Sequence, residues 1–262
     1  MEKFSLWQVV VLAVVQGVAE FLPISSSGHL VVIAPLLFGR SRAPDLVDLS
    51  IVLHLGTLGS IVVYYWRRIA RLVGEDRRTI GLLALGTIPA ALAGLTIKQW
   101  FEHVLESPLV AGAMFLVTGA ALLWSLRQPP GTTEYRDLSW RGALLIGLSQ
   151  AAAILPGLSR SGATIAAGLG VGLARRSAAT FSFLLAIPAI AGAGVLEGLS
   201  LLSGDHAVGT PASYLAVGAA ISFAVGLASI ALLERLLVRG QLRWFAWYCL
   251  ALGLAVLAWQ LF

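Results

Sequence analysis

Residues 20–29 read EFLPISSSGH, and this polar stretch interrupts the first apolar segment of the chain. It contains an acid, Glu20, then three consecutive serines and a histidine, His29, in surroundings that are otherwise hydrophobic. Proline ends an α-helix, and serine favours the start of a new one, so the stretch predicts a break between two helices. The break places several polar side chains inside an apolar region.

The composition predicts a membrane protein. The chain has 262 residues, of which 58% are hydrophobic and only 12% are charged, and its mean hydropathy is +0.87. Soluble domains contain about 25% charged residues. Several apolar runs reach the roughly 20 residues that a membrane-spanning helix needs. We therefore expect an all-α polytopic membrane protein.

Other classes of function are excluded by what the sequence lacks. The single cysteine, Cys249, rules out an intramolecular disulfide and a cysteine-rich zinc site. The sequence contains no Walker loop and no nucleic-acid-binding motif, so nucleic acid is not an expected partner.

The segment around the first break occurs twice in the chain. AVVQGVAEFLPISSSGH, from Ala13, aligns without a gap on GLSQAAAILPGLSRSGA, from Gly147. The aligned identical pairs include Gln16 with Gln150, Ser25 with Ser159, Ser27 with Ser161, and Gly28 with Gly162. We interpret residues 1–262 as a single membrane domain made of two repeats, 1–130 and 135–262.

Each repeat is expected to contain a broken helix pair followed by three longer apolar segments. The predicted pairs are 4–22 with 26–38 and 140–155 with 161–173. The predicted spans are 46–66, 80–98, 108–126, 177–198, 212–235 and 244–261. Short broken helices at matching positions of two halves are typical of re-entrant hairpins. Three spans per half would then invert the second repeat relative to the first.

The distribution of lysine and arginine agrees with this inverted topology. Most of the 18 basic residues fall in four segments, 67–79, 127–141, 174–176 and 235–243. The positive-inside rule places such segments in the cytoplasm. Both termini would then lie on the other side of the membrane.

Gln16 and Glu20 are the candidate metal ligands. They are four residues apart, so they share one face of a helix. An acid inside a membrane segment usually marks a functional site, although pairing of Glu20 with Arg160 is an alternative, structural explanation. The Glu20 carboxylate and the Gln16 oxygen are suited to a hard divalent cation such as Mg²⁺ or Ca²⁺.

The serines that follow predict an anion site. One helix cap needs one serine, whereas Ser25, Ser26 and Ser27 are followed by Gly28, which allows a ligand close to the backbone. The N-terminus of a helix attracts anions through its free N–H groups. Beside Glu20, His29 is a candidate nucleophile or general acid/base.

The second break, PGLSRSGAT at residues 156–164, adds Arg160, whose planar guanidinium suits phosphate. If the repeats are inverted, both breaks approach the same central region and form a site for a compact anion such as a diphosphate. The expected ligands of this anion are Ser25, Ser26, Ser27, Gly28, Ser159, Arg160, Ser161, Gly162 and Thr164. His54 lies inside an apolar span and is a weaker candidate. It either supports the residues that contact the anion or only packs within the protein.

QGVAEFLPISSSGHL and PGLSRSGAT resemble the two signature segments of the bacitracin-resistance type undecaprenyl-diphosphate phosphatases. The resemblance covers essentially the whole chain. It implies hydrolysis of undecaprenyl diphosphate to undecaprenyl phosphate and phosphate, which recycles the lipid carrier of cell-wall synthesis. It also implies a bacterial cytoplasmic membrane protein whose active site opens to the external side.

The resemblance assigns Glu20 to the family's E/Q-x-x-x-E motif. Ser25, Ser26 and His29 match its serine–histidine segment. Ser159, Arg160, Ser161 and Thr164 match its phosphate-binding segment, which makes Arg160 a catalytic candidate. Many relatives carry Glu at the position of Gln16, so a metal site with two carboxylates is not expected here.

The sequence leaves two questions open. We prefer His29 as nucleophile, with a phosphohistidine intermediate, and place Ser26 second, with His29 as its base. A transporter or flippase of anions or polyprenyl-phosphate lipids is the alternative function, because inverted repeats with broken helices are common in transporters. Membrane lipid and a polyprenyl diphosphate are the expected partners, and a homodimer is left open.

Overall fold

The computed structural model describes residues 4–38, 47–100, 102–202 and 210–261. Within these ranges the chain is helical, with a single isolated β-bridge between Thr133 and Leu173. The helices are α1 (Leu6–Ala19), α2 (Ser26–Phe38), α3 (Val47–Tyr64), α4 (Trp66–Gly74), α5 (Arg77–Trp100), α6 (Glu102–Leu105), α7 (Pro108–Leu126), α8 (Trp140–Ala152), α9 (Arg160–Gly170), α10 (Arg175–Leu202), α11 (Ala212–Val238) and α12 (Arg243–Leu261).

The long helices confirm a multi-pass membrane protein. In the described part of the chain, 5 helices are long and apolar enough to cross a membrane, namely α5, α7, α10, α11 and α12. A sixth span is formed if α3 is counted together with α4, which bends away from it by 72°. Because α4 is strongly amphipathic and carries Arg67, Arg68 and Arg71, it has the character of a helix lying at the membrane surface.

The two predicted broken pairs are present as α1 with α2 and α8 with α9. These helices have 14, 13, 13 and 11 residues, which is shorter than the roughly 20 residues needed to cross a bilayer. The predicted first members are too long, because residues 20–22 and 153–155 form turns. Pro23 explains the first of these, since a proline disfavours helical backbone in the residue before it.

Matching helices of the two halves of the chain have matching packing partners. By position in the two halves, α1 corresponds to α8 and α5 corresponds to α11. Helix α1 of the first half packs on α11 of the second, and α8 of the second half packs on α5 of the first. Likewise α3 packs on α11, and α10 packs on α5. These pairs exchange when the two halves are exchanged, as expected of a duplicated chain. The inverted orientation of the halves in a membrane stays a prediction.

Small residues let the last helices of the two repeats approach closely. A Cβ added to Gly253 of α12 would lie 2.8 Å from the carbonyl oxygen of Gly112 in α7. Close backbone contact at glycine is a common way of packing membrane helices. The resulting α7–α12 pair stands beside the broken helices and contributes side chains to both breaks, as described below.

Candidate active site

Ser25 organises the first break. Its backbone has a φ of 67°, the left-handed conformation that residues other than glycine seldom adopt. Its Oγ accepts hydrogen bonds from the N–H of Gly28, at 3.3 Å, and of Gly157, at 3.1 Å. Ser25 therefore caps α2 and also binds the second break. The serine thus has a structural role that the predicted anion contact did not anticipate.

The second break is fixed by Gly157 and by Thr118 of α7. Gly157 has a φ of 89°, and a Cβ there would lie 2.1 Å from the carbonyl oxygen of Ala111, so only glycine fits. The Thr118 hydroxyl donates to the Gly157 carbonyl at 2.8 Å and accepts from the Ser159 N–H at 2.9 Å. Ser159 caps α9 through the N–H of Gly162 at 3.1 Å.

The two breaks meet, as the sequence predicted. A Cβ on Gly28 would lie 2.7 Å from both the nitrogen and the Cα of Gly157. The Ser161 hydroxyl donates to the Leu22 carbonyl at 3.3 Å, which is a second link between the breaks. The N-termini of α2 and α9 are therefore adjacent, and their free N–H groups and positive dipole ends favour an anion between them.

Glu20 is the centre of the polar cluster. Its Oε1 accepts from Arg160 Nη2 at 2.5 Å. Its Oε2 accepts from the Ser26 hydroxyl at 2.9 Å and from Gln16 Nε2 at 3.0 Å. His54 Nε2 lies 3.7 Å from the same oxygen. The carboxylate is buried, so these partners replace the water that a charged group would otherwise require.

A small cavity of about 40 Å³ lies beside this cluster. Ser26 is half-buried and Ser27 is exposed, so the cavity reaches the surface on the side of these serines. Its lining residues are Ala19, Glu20, Ser25, Ser26, Ser27, Ala153, Leu158, Ser159 and Arg160. Five of the predicted diphosphate ligands therefore line one cavity together with Glu20.

The remaining predicted ligands do not line this cavity. Gly28 is buried between the two breaks, and Gly162 and Ser161 hold the start of α9. The Thr164 hydroxyl shares a hydrogen bond with the Ser182 hydroxyl of α10 at 2.6 Å. In this structure these residues support the shape of the site, and contact with an anion at these four positions stays a prediction.

The His29 ring contacts residues outside the Glu20 cluster. Its Nδ1 lies 2.7 Å from the carbonyl oxygen of Ser25, and its Nε2 lies 2.6 Å from the hydroxyl of Tyr248 on α12. Its ring also packs edge-on against Phe115, with the ring centroids 5.3 Å apart. Both ring nitrogens therefore have protein partners, and the Ser26 hydroxyl is bonded to Glu20.

Two buried polar atoms near Glu20 have no hydrogen-bond partner among the described residues. One is Arg160 Nη1, a donor, and the other is Gln16 Oε1, an acceptor. Buried polar groups almost always find partners, so each of these atoms calls for one, and of the two residues only Arg160 lines the cavity. A phosphate oxygen would satisfy the arginine, and a cation or its bound water would satisfy the amide oxygen.

The donor set therefore fits a divalent cation only in combination with substrate. The described residues contain no group of three His, Cys, Asp or Glu side chains that could hold a metal alone. Mg²⁺ in proteins often binds one or two carboxylates together with phosphate oxygens and water. One carboxylate, Glu20, and the amide oxygen Gln16 Oε1, which is unpaired within the described ranges, match that pattern.

Sequence reasoning missed two residues that shape the site and undervalued a third. Thr118 was hidden in an apolar span, where a lone threonine commonly bonds its own helix. Tyr248 lies in RWFAWY, a pattern typical of the aromatic belt at a membrane surface. His54 is a weak signal in the sequence, because a lone histidine in an apolar span also fits packing, yet its Nε2 lies beside Glu20.

Comparison with known proteins gives a consistent assignment. The model of the family described as "Bacitracin resistance protein BacA" matches residues 9–255. A protein of Rhodopirellula baltica named "Undecaprenyl-diphosphatase" is 50% identical over 252 residues, which cover 96% of this chain and 97% of the relative. A protein of the same name from Pelotomaculum thermopropionicum is 42% identical over 261 residues, which cover 97% of this chain and 96% of the relative. This chain therefore belongs to the bacitracin resistance protein BacA family.

Proposed function

We propose that this protein is an integral membrane phosphatase that hydrolyses undecaprenyl diphosphate to undecaprenyl phosphate and inorganic phosphate. The names of the relatives give the substrate, and the site gives the chemistry. The observation that carries the proposal is the buried Nη1 of Arg160, which has no hydrogen-bond partner among the described residues, in a side chain that lines a cavity with Ser26 and Glu20. Such a donor between two helix N-termini suits the terminal phosphate of a diphosphate.

Ser26 is the nucleophile that this geometry favours over His29. The Ser26 hydroxyl lines the cavity and already donates to Glu20 Oε2 at 2.9 Å. His29 is absent from the cavity lining, and both of its nitrogens are engaged. The base for Ser26 in this arrangement is Glu20, which replaces the His29 role expected from the sequence.

The reaction then has two steps. Ser26 Oγ attacks the terminal phosphorus while its proton passes to Glu20. The bond from that phosphorus to the bridging oxygen breaks, and its electron pair stays on undecaprenyl phosphate. Water next attacks the phosphoserine, which releases inorganic phosphate, and the proton on Glu20 returns to Ser26 Oγ. Transition states of this kind are loose, so a weak base is sufficient.

Arg160 has two tasks in this scheme. Its Nη2 stays on Glu20 and holds the carboxylate toward Ser26, while its Nη1 remains available for a phosphate oxygen. The guanidinium also offsets the negative charge that develops on the leaving oxygen. A lysine has a single point charge and could not serve both partners in a fixed geometry.

A divalent cation, Mg²⁺ or Ca²⁺, is the proposed cofactor. Glu20 and Gln16 Oε1 would hold it together with substrate oxygens, and when bound it would neutralise phosphate charge. The protein residues would still orient the phosphate and accept the serine proton. The single carboxylate is consistent with one cation that binds mainly when substrate is present.

The cellular role follows from the reaction. We place the protein in the bacterial cytoplasmic membrane, with inverted repeats and the cavity open to the external side. Hydrolysis there would recycle the lipid carrier for cell-wall synthesis and give resistance to bacitracin. A carrier without enzyme activity would need Arg160 and the helix ends, but it would not need the hydrogen bond from Ser26 to Glu20.

Purified protein in detergent tests the proposal directly. We expect phosphate release from undecaprenyl diphosphate with added Mg²⁺ or Ca²⁺, and at least about 100-fold less from Ser26→Ala, as is usual when a nucleophile is removed. An active Ser26→Ala variant would overturn the mechanism. A wild-type protein that releases no phosphate but moves the lipid between leaflets of a vesicle would establish the transporter instead.

A further inference from the structure

Tyr248 contacts the first break from the far end of the chain. The residue lies on α12 in repeat two, and its hydroxyl is 2.6 Å from His29 Nε2, a partner 219 residues away in sequence. The planes of the two rings are parallel to within 1°. The neighbouring Cys249 is buried, and its Sγ lies 3.6 Å from the carbonyl oxygen of Pro23, so α12 is packed directly on the break.

The partners of His29 determine which atoms of a neutral imidazole carry hydrogen. The Ser25 carbonyl at 2.7 Å can only accept, so Nδ1 carries the hydrogen and donates it. Nε2 is then an acceptor, and the Tyr248 hydroxyl donates to it. The Ser25 carbonyl therefore fixes the tautomer, and the Tyr248 hydroxyl holds the orientation of the ring from its other side.

The ring that Tyr248 holds lies against the strained part of the break. His29 donates to the carbonyl of Ser25, whose φ of 67° is unfavourable for serine and persists only when the surroundings impose it. Ser25 directly precedes Ser26, so the direction of its carbonyl sets where the Ser26 side chain begins. The His29 backbone N–H also donates to this carbonyl, at 3.2 Å, so release of the ring would leave the carbonyl with one of its two donors and less firmly directed.

We propose that Tyr248 is a positioning residue for phosphate hydrolysis: it holds His29 on the Ser25 carbonyl and thereby keeps Ser26 Oγ directed at Glu20. The inference rests on the proposed function. It gives His29 a role that does not require contact with substrate. The second half of the chain has no acid or histidine at its own break. The inference explains why this half nevertheless contributes α12 to the active site.

The test compares Tyr248→Phe with wild type and with Tyr64→Phe. Tyr64→Phe is the matched control because it removes a phenol hydroxyl that bonds Glu234, away from the cavity, at 3.1 Å. We expect Tyr248→Phe to lower kcat about tenfold, the effect of losing one positioning hydrogen bond, with KM changed less than about twofold. Tyr64→Phe should keep both constants.

A second measurement follows the His29 ring itself. In protein labelled with ¹⁵N-histidine, the His29 signals are assigned by their absence in His29→Ala, and Tyr248→Phe should shift the Nε2 signal. Full activity of Tyr248→Phe, or a loss of kcat with an unshifted His29 signal, would overturn the inference. Wild-type protein without phosphatase activity would instead overturn the proposed function on which it rests.

Discussion

Glu20 Oε1 lies 2.5 Å from Arg160 Nη2, although 140 residues separate the two in sequence. Each comes from a different break, so this ion pair joins the two repeats at the point where their broken helices meet. Both side chains are largely buried, with 7% and 15% of their surface exposed. From the sequence, pairing with Arg160 is a structural explanation for Glu20. The geometry shows that this pairing is compatible with a catalytic role, because Glu20 Oε1 contacts Arg160 while Oε2 accepts from Ser26.

Removal of Arg160 tests the pair. We expect Arg160→Ala to lower phosphate release at least about 100-fold, because the phosphate loses its cation and Glu20 loses its orientation. Since a buried carboxylate is left unpaired, unfolding free energy should also fall by about 3 kcal/mol. Arg160→Lys should recover stability but little activity, because an ammonium lacks the two-pronged geometry. Thermal unfolding and phosphate assays measure both effects.

Arg141→Ala is the control for the loss of a positive charge, since this arginine is exposed on α8. We expect it to keep activity within about twofold, as is normal for exposed positions. Arg160→Ala with near-normal kcat would contradict the phosphate contact.

The identity of the nucleophile is tested by comparing the neighbouring serines Ser26 and Ser27. Ser26 donates to Glu20 and is half-buried, whereas Ser27 is exposed. We expect Ser26→Ala to abolish phosphate release and Ser27→Ala to retain it within about tenfold, the range for loss of a binding contact. Rapid acid quench followed by mass spectrometry should find phosphate on Ser26. Phosphate found on His29 after a parallel quench in alkali, in which phosphohistidine survives, would instead support the nucleophile preferred from the sequence.

The metal proposal is tested at Gln16. EDTA should stop phosphate release, and Mg²⁺ or Ca²⁺ should restore it. Gln16→Ala should raise the cation concentration needed for half-maximal activity about tenfold, because loss of one oxygen ligand weakens binding. Gln16→Glu should lower that concentration by adding a second carboxylate.

Gln150 is the matched control for Gln16, because it is the corresponding residue of repeat two and its side chain is also buried without a hydrogen-bond partner in the described part of the chain. Gln150→Ala should leave the cation dependence unchanged. Equal effects at both positions would mean that packing, and not cation binding, explains the loss.

Gly157 tests the shape of the second break. Its φ of 89° and the 2.1 Å that would separate a Cβ from the Ala111 oxygen leave no room for alanine. We expect Gly157→Ala to destabilise the protein by at least about 2 kcal/mol and to lower activity with it. Gly192→Ala, on α10 where a Cβ meets nothing within 4 Å, should be neutral or stabilising. Thermal unfolding in one detergent compares the two variants.

Topology is tested by labelling single cysteines in a background where Cys249 is replaced. Positions 71 and 239 are exposed and lie in the basic segments 67–79 and 235–243, so both should react with an impermeant reagent only from the cytoplasmic side. Position 106, exposed between α6 and α7, should react only from outside. Labelling of 71 and 239 from opposite sides would refute the inverted repeats.

The sequence predicted the helices well because their causes are local. Apolar length predicted α5, α7, α10, α11 and α12 to within a few residues, and serine with glycine predicted the starts of α2 and α9. The prediction failed at residues 20–22 and 153–155, where turns follow the helices earlier than hydrophobicity suggests. Periodicity does not show where a helix ends when the next residues are also apolar.

By itself the sequence determined that this is a helical membrane protein with two polar breaks, because composition, length and internal similarity are properties of the chain alone. Tertiary structure decided what each polar side chain does. In the folded chain Ser26 hydrogen-bonds Glu20, and His29 hydrogen-bonds Tyr248. Ser25 and Thr164 hydrogen-bond residues of other segments and so stabilise the fold. The physical reason is that a buried polar group must find a partner, and that partner comes from whichever helix packs beside it.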